Sequence, residues 1–476
     1  MFKFVNLLAL SVCGVLAAQE VKEMEANANE AAEKARAAVE KANAAAEKAI
    51  AAFKEAEEAL AKVVESAAQA ESKVMPDAKK EGKAEEVKVL LVSPLKLKEA
   101  WVEYAKMRGE QGTAIKVVTT DEIAKKYKEG DLQNKIRLCV REHVDQHGFD
   151  TVILGGDSTP SGGLIPDRDT YHKNMWGNDQ DIPTDVYYLS PTSWDADGDG
   201  IYGEFEEDRE AITYPDGKVA IGRIAVRTAK DIQAYSAKVK AHLKGEAINQ
   251  LALTCEVRGA YAKVARSGEV FIKQAWSKGE VSFFFNDITS WDGEGARGSF
   301  DLSPKNLSAK FGEEEINKWH IHGHGLIDRW VLENHESFTY EHVANLKNKE
   351  RPLVITTVSC FTGHFDAKKD PSITEAMLRQ PDGGAVLIVA PCREGKPHFH
   401  NPQQDFPLMI QEGKLDGTTQ TMTSFWVAAL GEKQAKAGHA LAISKAEMAD
   451  DAAKSATYHQ GMCELNLLGD PSLEVK

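Results

Sequence analysis

Cys360 and His324 are the residues of this 476-residue chain whose types and settings best suit nucleophilic chemistry. "RPLVITTVSCFTGHFD" is an apolar run, Leu353 to Val358, that delivers Ser359 and Cys360 to a turn containing Gly363. "INKWHIHGHG" repeats that layout, ending with His324 between Gly323 and Gly325. Open α/β sheets take their ligands outside the carboxyl ends of the strands. Two neighbouring strands ending at one edge would bring imidazole and thiol together. The histidine would then generate or balance the thiolate and later protonate a leaving amine. Glycines remove side chains where a substrate carbonyl must approach, so Gly323, Gly325 and Ser359 are candidate substrate contacts. A backbone N–H at or near Cys360 would serve an oxyanion hole.

The histidines at 320, 322 and 324 also admit a metal reading. Residues at i, i+2 and i+4 share one face of a strand, and an H-x-H pair there suits zinc. That reading requires further ligands, for which His335, His364 and Asp366 are available. The dyad reading needs only His324 and leaves His320 and His322 as structural residues.

The clearest metal motif lies elsewhere, in "DADGDGIYGEFE". Asp195, Asp197 and Asp199 stand at loop positions 1, 3 and 5, with Gly200 at 6. Ile201 offers its carbonyl at position 7, and Glu206 closes the shell at 12. This is the spacing of a calcium loop with hard oxygen ligands. The flanks do not read as paired helices, so the expectation is an isolated calcium loop acting as a structural staple.

Elements that position these residues are legible as alternating strands and helices, the pattern of a largely parallel sheet covered on both faces. "VKVLLVSP", "TAIKVVT", "FDTVILGGD" and "KVAIGRIAV" read as strands of a first series, and Thr119 with Glu122 reads as a capping box. "LALTCEV", "NKWHIHGHG", "PLVITTVSC" and "GAVLIVAP" form a second. The expected globular part is therefore two α/β/α lobes, 88–245 and 246–476, the second catalytic and the first carrying the calcium loop.

"HGHG", a later strand ending in "SC", and a closing "LNLLGDPSLEV" together resemble the gingipain family of cysteine peptidases, whose catalytic domain has a caspase-like fold. "VILGGD", "TDVYYLS" and "VAIGRIAVRTAKDIQAYSAKV" extend the resemblance over about 88–476. It implies a cysteine endopeptidase acting on protein or peptide substrates through a thioester, with His324 as catalytic histidine and Cys360 as nucleophile. It also implies an acidic residue orienting the histidine, for which Asp216 is the candidate. Arg393 follows the strand that lines the specificity pocket of caspase-like folds and would favour acidic P1 residues; Asp231 would instead read a basic one. The competing reading is a catalytically silent family member with a structural or adhesive role.

A net charge of −15 argues against nucleic acid and anionic membrane surfaces as partners. Residues 1–17 read as a signal peptide, which implies export to the periplasm, cell surface or medium, with no membrane span in the mature chain. Residues 18–73 repeat alanine at a 3.5-residue period, the pattern of a coiled coil and a route to homo-oligomers, and 74–87 reads as a linker. Five cysteines remain after cleavage, scattered without a CxxC, so no disulfide framework or zinc ribbon is expected. No organic cofactor is expected.

Overall fold

The computed structural model describes residues 87–158, 164–174, 177–256, 268–269, 271–284, 302–312, 316–332, 336–367, 371–396, 415 and 417–476. The expected signal peptide, the alanine coil and the linker up to residue 86 lie outside the described residues, as does His335.

The apolar runs become strands. β1 (Val89–Ser93), β2 (Ile115–Thr119) and β3 (Thr151–Leu154) are followed by a ribbon of β4 (Arg168–Lys173) and β5 (Asp179–Thr184), then β6 (Ala220–Arg223). The second series supplies β7 (Gln250–Cys255), β8 (Glu280–Phe284) and β9 (Lys318–His322). It continues with the short β10 (Gly325–Leu326), β11 (Arg329–Val331) and β12 (Ser337–Thr339), then β13 (Leu353–Thr357), β14 (Ala385–Pro391) and β15 (Leu465–Gly469). The helices used below are α1 (Lys98–Gly109), α2 (Thr120–Lys126), α3 (Leu132–His147), α4 (Ala229–Lys244), α5 (Ile373–Arg379), α6 (Gly417–Leu430), α7 (Ala437–Ala446) and α8 (Ala456–Glu464). The Thr119–Glu122 capping box forms at the start of α2.

Ten strands make one sheet in the order β2-β1-β3-β6-β15-β14-β13-β9-β7-β8. Every residue of β1, β9, β13, β14 and β15 is buried, which is why β1 and β14 read as continuous apolar runs, while β9 buries its alternating Lys318, His320 and His322 as well. The two expected lobes are thus the two halves of a single sheet within one compact unit, residues 85–476. The C-terminal strand joins them: β15 runs parallel to β6 and antiparallel to β14, covering an edge that each half would otherwise expose. The "GDPS" motif fixes this strand. Asp470 accepts from Tyr104 at 2.5 Å and lies 3.3 Å from the Arg108 guanidinium, both on α1. Gly469 has φ of +132°, and a Cβ there would meet the Val386 carbonyl oxygen at 2.4 Å.

The antiparallel step has a consequence for chemistry. The halves point in opposite directions, so the carboxyl ends of β9, β13 and β14 share an edge with the beginning of β15. Leu465 pairs with Pro391 there, and the Cys392 N–H donates to the Glu464 carbonyl at 2.9 Å.

Candidate active site

β9 and β13 are parallel neighbours in register, with Thr356 opposite His320 and Thr357 opposite Ile321. The chain leaves both strands at one edge, so His324 and Cys360 emerge side by side. Gly325 measures how close: a Cβ on it would lie 2.6 Å from Thr362 Cγ2, 2.7 Å from Ser359 Cβ and 2.9 Å from the Cys360 carbonyl oxygen. Gly325 is buried and His324 exposed.

The sulfur of Cys360 is 3.6 Å from the Gly395 carbonyl oxygen, at the end of the turn after β14. Of the five described cysteines, all free, the other four are buried and Cys360 is partly open. Burial, and then the negative charge of Glu464, push its thiol up to about 11, so the resting group is a thiol. Phe361, next in the chain, sits at φ +59° and its N–H is taken by the Arg393 carbonyl. The Ser359 N–H is taken by Thr357 Oγ1. The Cys360 N–H has no acceptor in another residue among the described residues.

His324 is held through its backbone. Its N–H donates to Glu256 Oε2 at 3.0 Å, and its carbonyl accepts from Val331 at 3.1 Å. Glu256 follows β7, the neighbour of β9, and its own N–H donates to the His322 carbonyl. Gly323 is small because Glu256 lies against it: a Cβ would fall 2.9 Å from Glu256 Cβ. His320 and His322 are buried in the sheet. His320 Nδ1 is 2.7 Å from Thr356 Oγ1, and His322 Nε2 is 3.1 Å from Thr419 Oγ1 on α6. Burial holds the His320 imidazole near 4, hence neutral. These two rings do not join His324 in a ligand cluster among the described residues. His364 lies 3.3 Å from Asp366.

Asp366 is already engaged by Arg393, which grips it with two hydrogen bonds of 2.9 and 2.7 Å and donates to the Asp181 carbonyl as well. Arg393 is therefore a buried tie between β14 and β5 with its guanidinium spoken for. Asp231 closes a capping box with Thr228 at the start of α4. Asp216 precedes β6 and pairs with Lys218 at 2.7 Å on the surface. Three strand positions separate β6 from β13, about 14 Å at ordinary strand spacing. The acid brought to His324 is Glu256, and sequence reasoning missed it because the adjacency of β7 and β9 is a tertiary fact. Glu464 was missed too. It is fully buried at the end of α8, just before β15; among the described residues neither carboxylate oxygen has a hydrogen-bond partner, and its carboxyl is pushed up to about 8 chiefly by burial.

In the acidic loop, Asp195, Asp197 and Asp208 bring carboxylate oxygens within 4.8 Å of one another. Glu206, expected at the closing position, is exposed; Asp208, two residues on, is the buried acid that turns inward. It accepts from the N–H groups of Ala196 and Glu204. Asp199 accepts from Ile201 N–H at 2.7 Å. Gly198 and Gly200, at φ +80° and +86°, supply the turns. Burial and the surrounding carboxylates of Glu207, Asp199 and Asp208 push Glu204 up to about 7. Such mutual repulsion is what a hard divalent cation relieves, so the residues fit calcium.

A sheet edge that presents a cysteine beside a histidine has the parts of a cysteine peptidase, and comparison with known proteins makes that assignment. The family model for peptidase family C25 matches residues 83–476, and the chain belongs to that family. Among solved structures it is similar to the complex of the pro- and mature domains of RgpB from Porphyromonas gingivalis. The TM-score is 0.57 at 16% identity, covering 82% of this chain and 80% of that one. It is likewise similar to the Arg-specific cysteine proteinase gingipain R, with TM-score 0.57, 16% identity, and coverage of 84% and 80%. These likenesses establish the caspase-like fold. A search of curated proteins finds no significant match. The chain is a cysteine-type peptidase, a hydrolase acting on protein substrates.

Proposed function

We propose that the chain is an endopeptidase that cleaves through a His324–Cys360 dyad. The observation that carries this reading is the close packing of Gly325 against Thr362, Ser359 and the Cys360 carbonyl, which brings the two segments into contact. As the Cys360 sulfur attacks the scissile carbonyl, its proton passes to His324, and the carbonyl electrons move to an oxygen that accepts from the Cys360 N–H. Collapse breaks the C–N bond, and His324 gives its proton to the departing amine. Water then attacks the thioester with His324 as base, releasing the acid and restoring the thiol. Glu256 is a positioning residue that fixes the backbone of His324.

The P1 preference follows from Glu464. A buried carboxylate near the nucleophile, pushed up to about 8 and without a hydrogen-bond partner among the described residues, would be drawn toward its ionised form by a cationic side chain. Gingipain R is arginine-specific, and a basic P1 residue is proposed for this chain as well. Calcium is proposed as a structural ion of the 195–208 loop, held by Asp195, Asp197 and Asp208; when bound it supplies the positive charge that ties these carboxylates together. Export through residues 1–17 and self-association through 18–73 complete the proposal.

A peptidyl acyloxymethyl ketone with lysine or arginine at P1 tests the dyad. The expected result is a single adduct on Cys360, lost in His324→Ala. Labelling of another residue, or undiminished labelling without His324, would overturn it.

A further inference from the structure

His459 and Cys463 occupy the same face of α8, one turn apart, and α8 packs across β4, which carries His172. One ligand atom from each of the three lies within 4.8 Å of the others, and the side chains are 6%, 0% and 1% exposed for His172, His459 and Cys463. The rings of His172 and His459 are 5.0 Å apart, and Cys463 Sγ is 4.0 Å from His459 Nε2.

The protons around His459 do not balance for a neutral ring. Tyr214 Oη lies 2.8 Å from the Ala452 carbonyl and 3.0 Å from His459 Nδ1, while His459 Nε2 lies 2.9 Å from the Gly203 carbonyl. Both ends of this chain are acceptors only, so its three contacts need three protons. A tyrosine hydroxyl and a neutral imidazole supply two. Either a protonated imidazolium or a cation held at Nε2 would make good the deficit.

We propose that a borderline-soft divalent metal ion, zinc in kind, supplies the missing positive charge. His459 Nε2, a ring nitrogen of His172 and the Cys463 thiolate are its ligands, and the Gly203 carbonyl is the nearest fourth donor. The protons of the Tyr214–His459 chain are then placed. Nδ1–H donates to Tyr214, Tyr214 donates to Ala452, and Nε2 keeps its lone pair for the metal, as ligating histidines ordinarily arrange. Binding displaces the thiol proton to solvent. A two-histidine, one-cysteine set with a carbonyl oxygen suits zinc and does not suit calcium. Two other buried groups stand nearby, the unpartnered Glu464 carboxylate and Lys445, whose ammonium donates to the Met462 carbonyl at 2.7 Å. The ion would pin α8 to β4 and to the end of the acidic loop at Gly203, fixing the helix that leads into β15.

The site is independent of the dyad, so it is tested in Cys360→Ala protein by metal content and cobalt substitution. The expected result is one zinc per chain, and on replacement with Co²⁺ a thiolate-to-cobalt charge-transfer band. Both should fall at least tenfold in Cys360→Ala/Cys463→Ala. Less than a tenth of an equivalent of metal with no cobalt band, or a band that survives without Cys463, would overturn the proposal. Should the double variant fail to fold, X-ray absorption at the zinc edge of the parent protein decides. One sulfur at about 2.3 Å with nitrogen or oxygen at about 2.0–2.1 Å supports the site; a shell of oxygen alone refutes it.

Discussion

The pH dependence of Cys360 alkylation follows directly from its surroundings. Burial, followed by the Glu464 charge, raises the thiol from 9.0 to about 11. A two-unit rise leaves about 100-fold less thiolate at any pH well below 9 than an ordinary cysteine would hold. On the proposed dyad, such a thiol gives up its proton to His324 as it attacks. The assay is the rate of Cys360 modification by iodoacetamide in the absence of substrate, read by mass spectrometry of the Cys360 peptide. Four other described cysteines are buried and react more slowly. The logarithm of the rate is expected to climb with unit slope from pH 6 to about 10, without a plateau near neutrality. Glu464→Gln should move the profile to lower pH, with the gain confined above about 8, where the native carboxyl ionises. A plateau reached between pH 6 and 7 would refute the reasoning, because it would mean a preformed ion pair.

Glu256→Gln removes the charge from a hydrogen bond to the His324 backbone. Charge-assisted bonds contribute about 1.5–3 kcal/mol, so kcat is expected to fall roughly 10- to 150-fold with KM little changed; steady-state kinetics on a fluorogenic peptide reads both. Gly325→Ala forces a Cβ to within 2.6–2.9 Å of Thr362, Ser359 and Cys360. It should destabilise the fold by about 1–3 kcal/mol in urea unfolding, and lose activity at a temperature where the variant is still folded. Added calcium should raise the melting temperature by several degrees, an effect abolished in Asp208→Asn and retained in Glu206→Gln. The reverse pattern would restore the motif's own closing residue.

The proposed site was in part legible in the sequence, for a physical reason. A strand buried on both faces shows as an unbroken apolar run, and the residues just beyond it stand where parallel sheets bind ligands. Cys360 and His324 could therefore be named from local pattern, as could the Thr119–Glu122 cap. Glu256 could not, because its role depends on β7 lying beside β9, a pairing across the intervening β8 segment that no local pattern encodes. Glu464 depends on β15 running antiparallel to β14, the same step that merges two expected lobes into one sheet. In the acidic loop the motif located the carboxylates, but the left-handed turns at Gly198, Gly200 and Gly203, with Trp194 at φ +61°, bring Asp208 inward in place of Glu206. Arg393 looked free in the sequence because its partners, Asp366 and the Asp181 carbonyl, become apparent only when chain geometry is known, whereas the Thr228–Asp231 capping box was legible from spacing alone.

Cleavage-site profiling with a proteome-derived peptide library tests the central claim most directly, comparing the calcium-loaded, reduced protein with Cys360→Ala. The account predicts cleavage after basic residues by the first and none by the second. Equal cleavage by both proteins would contradict a Cys360 nucleophile, and the reaction would have to be sought elsewhere on the molecule.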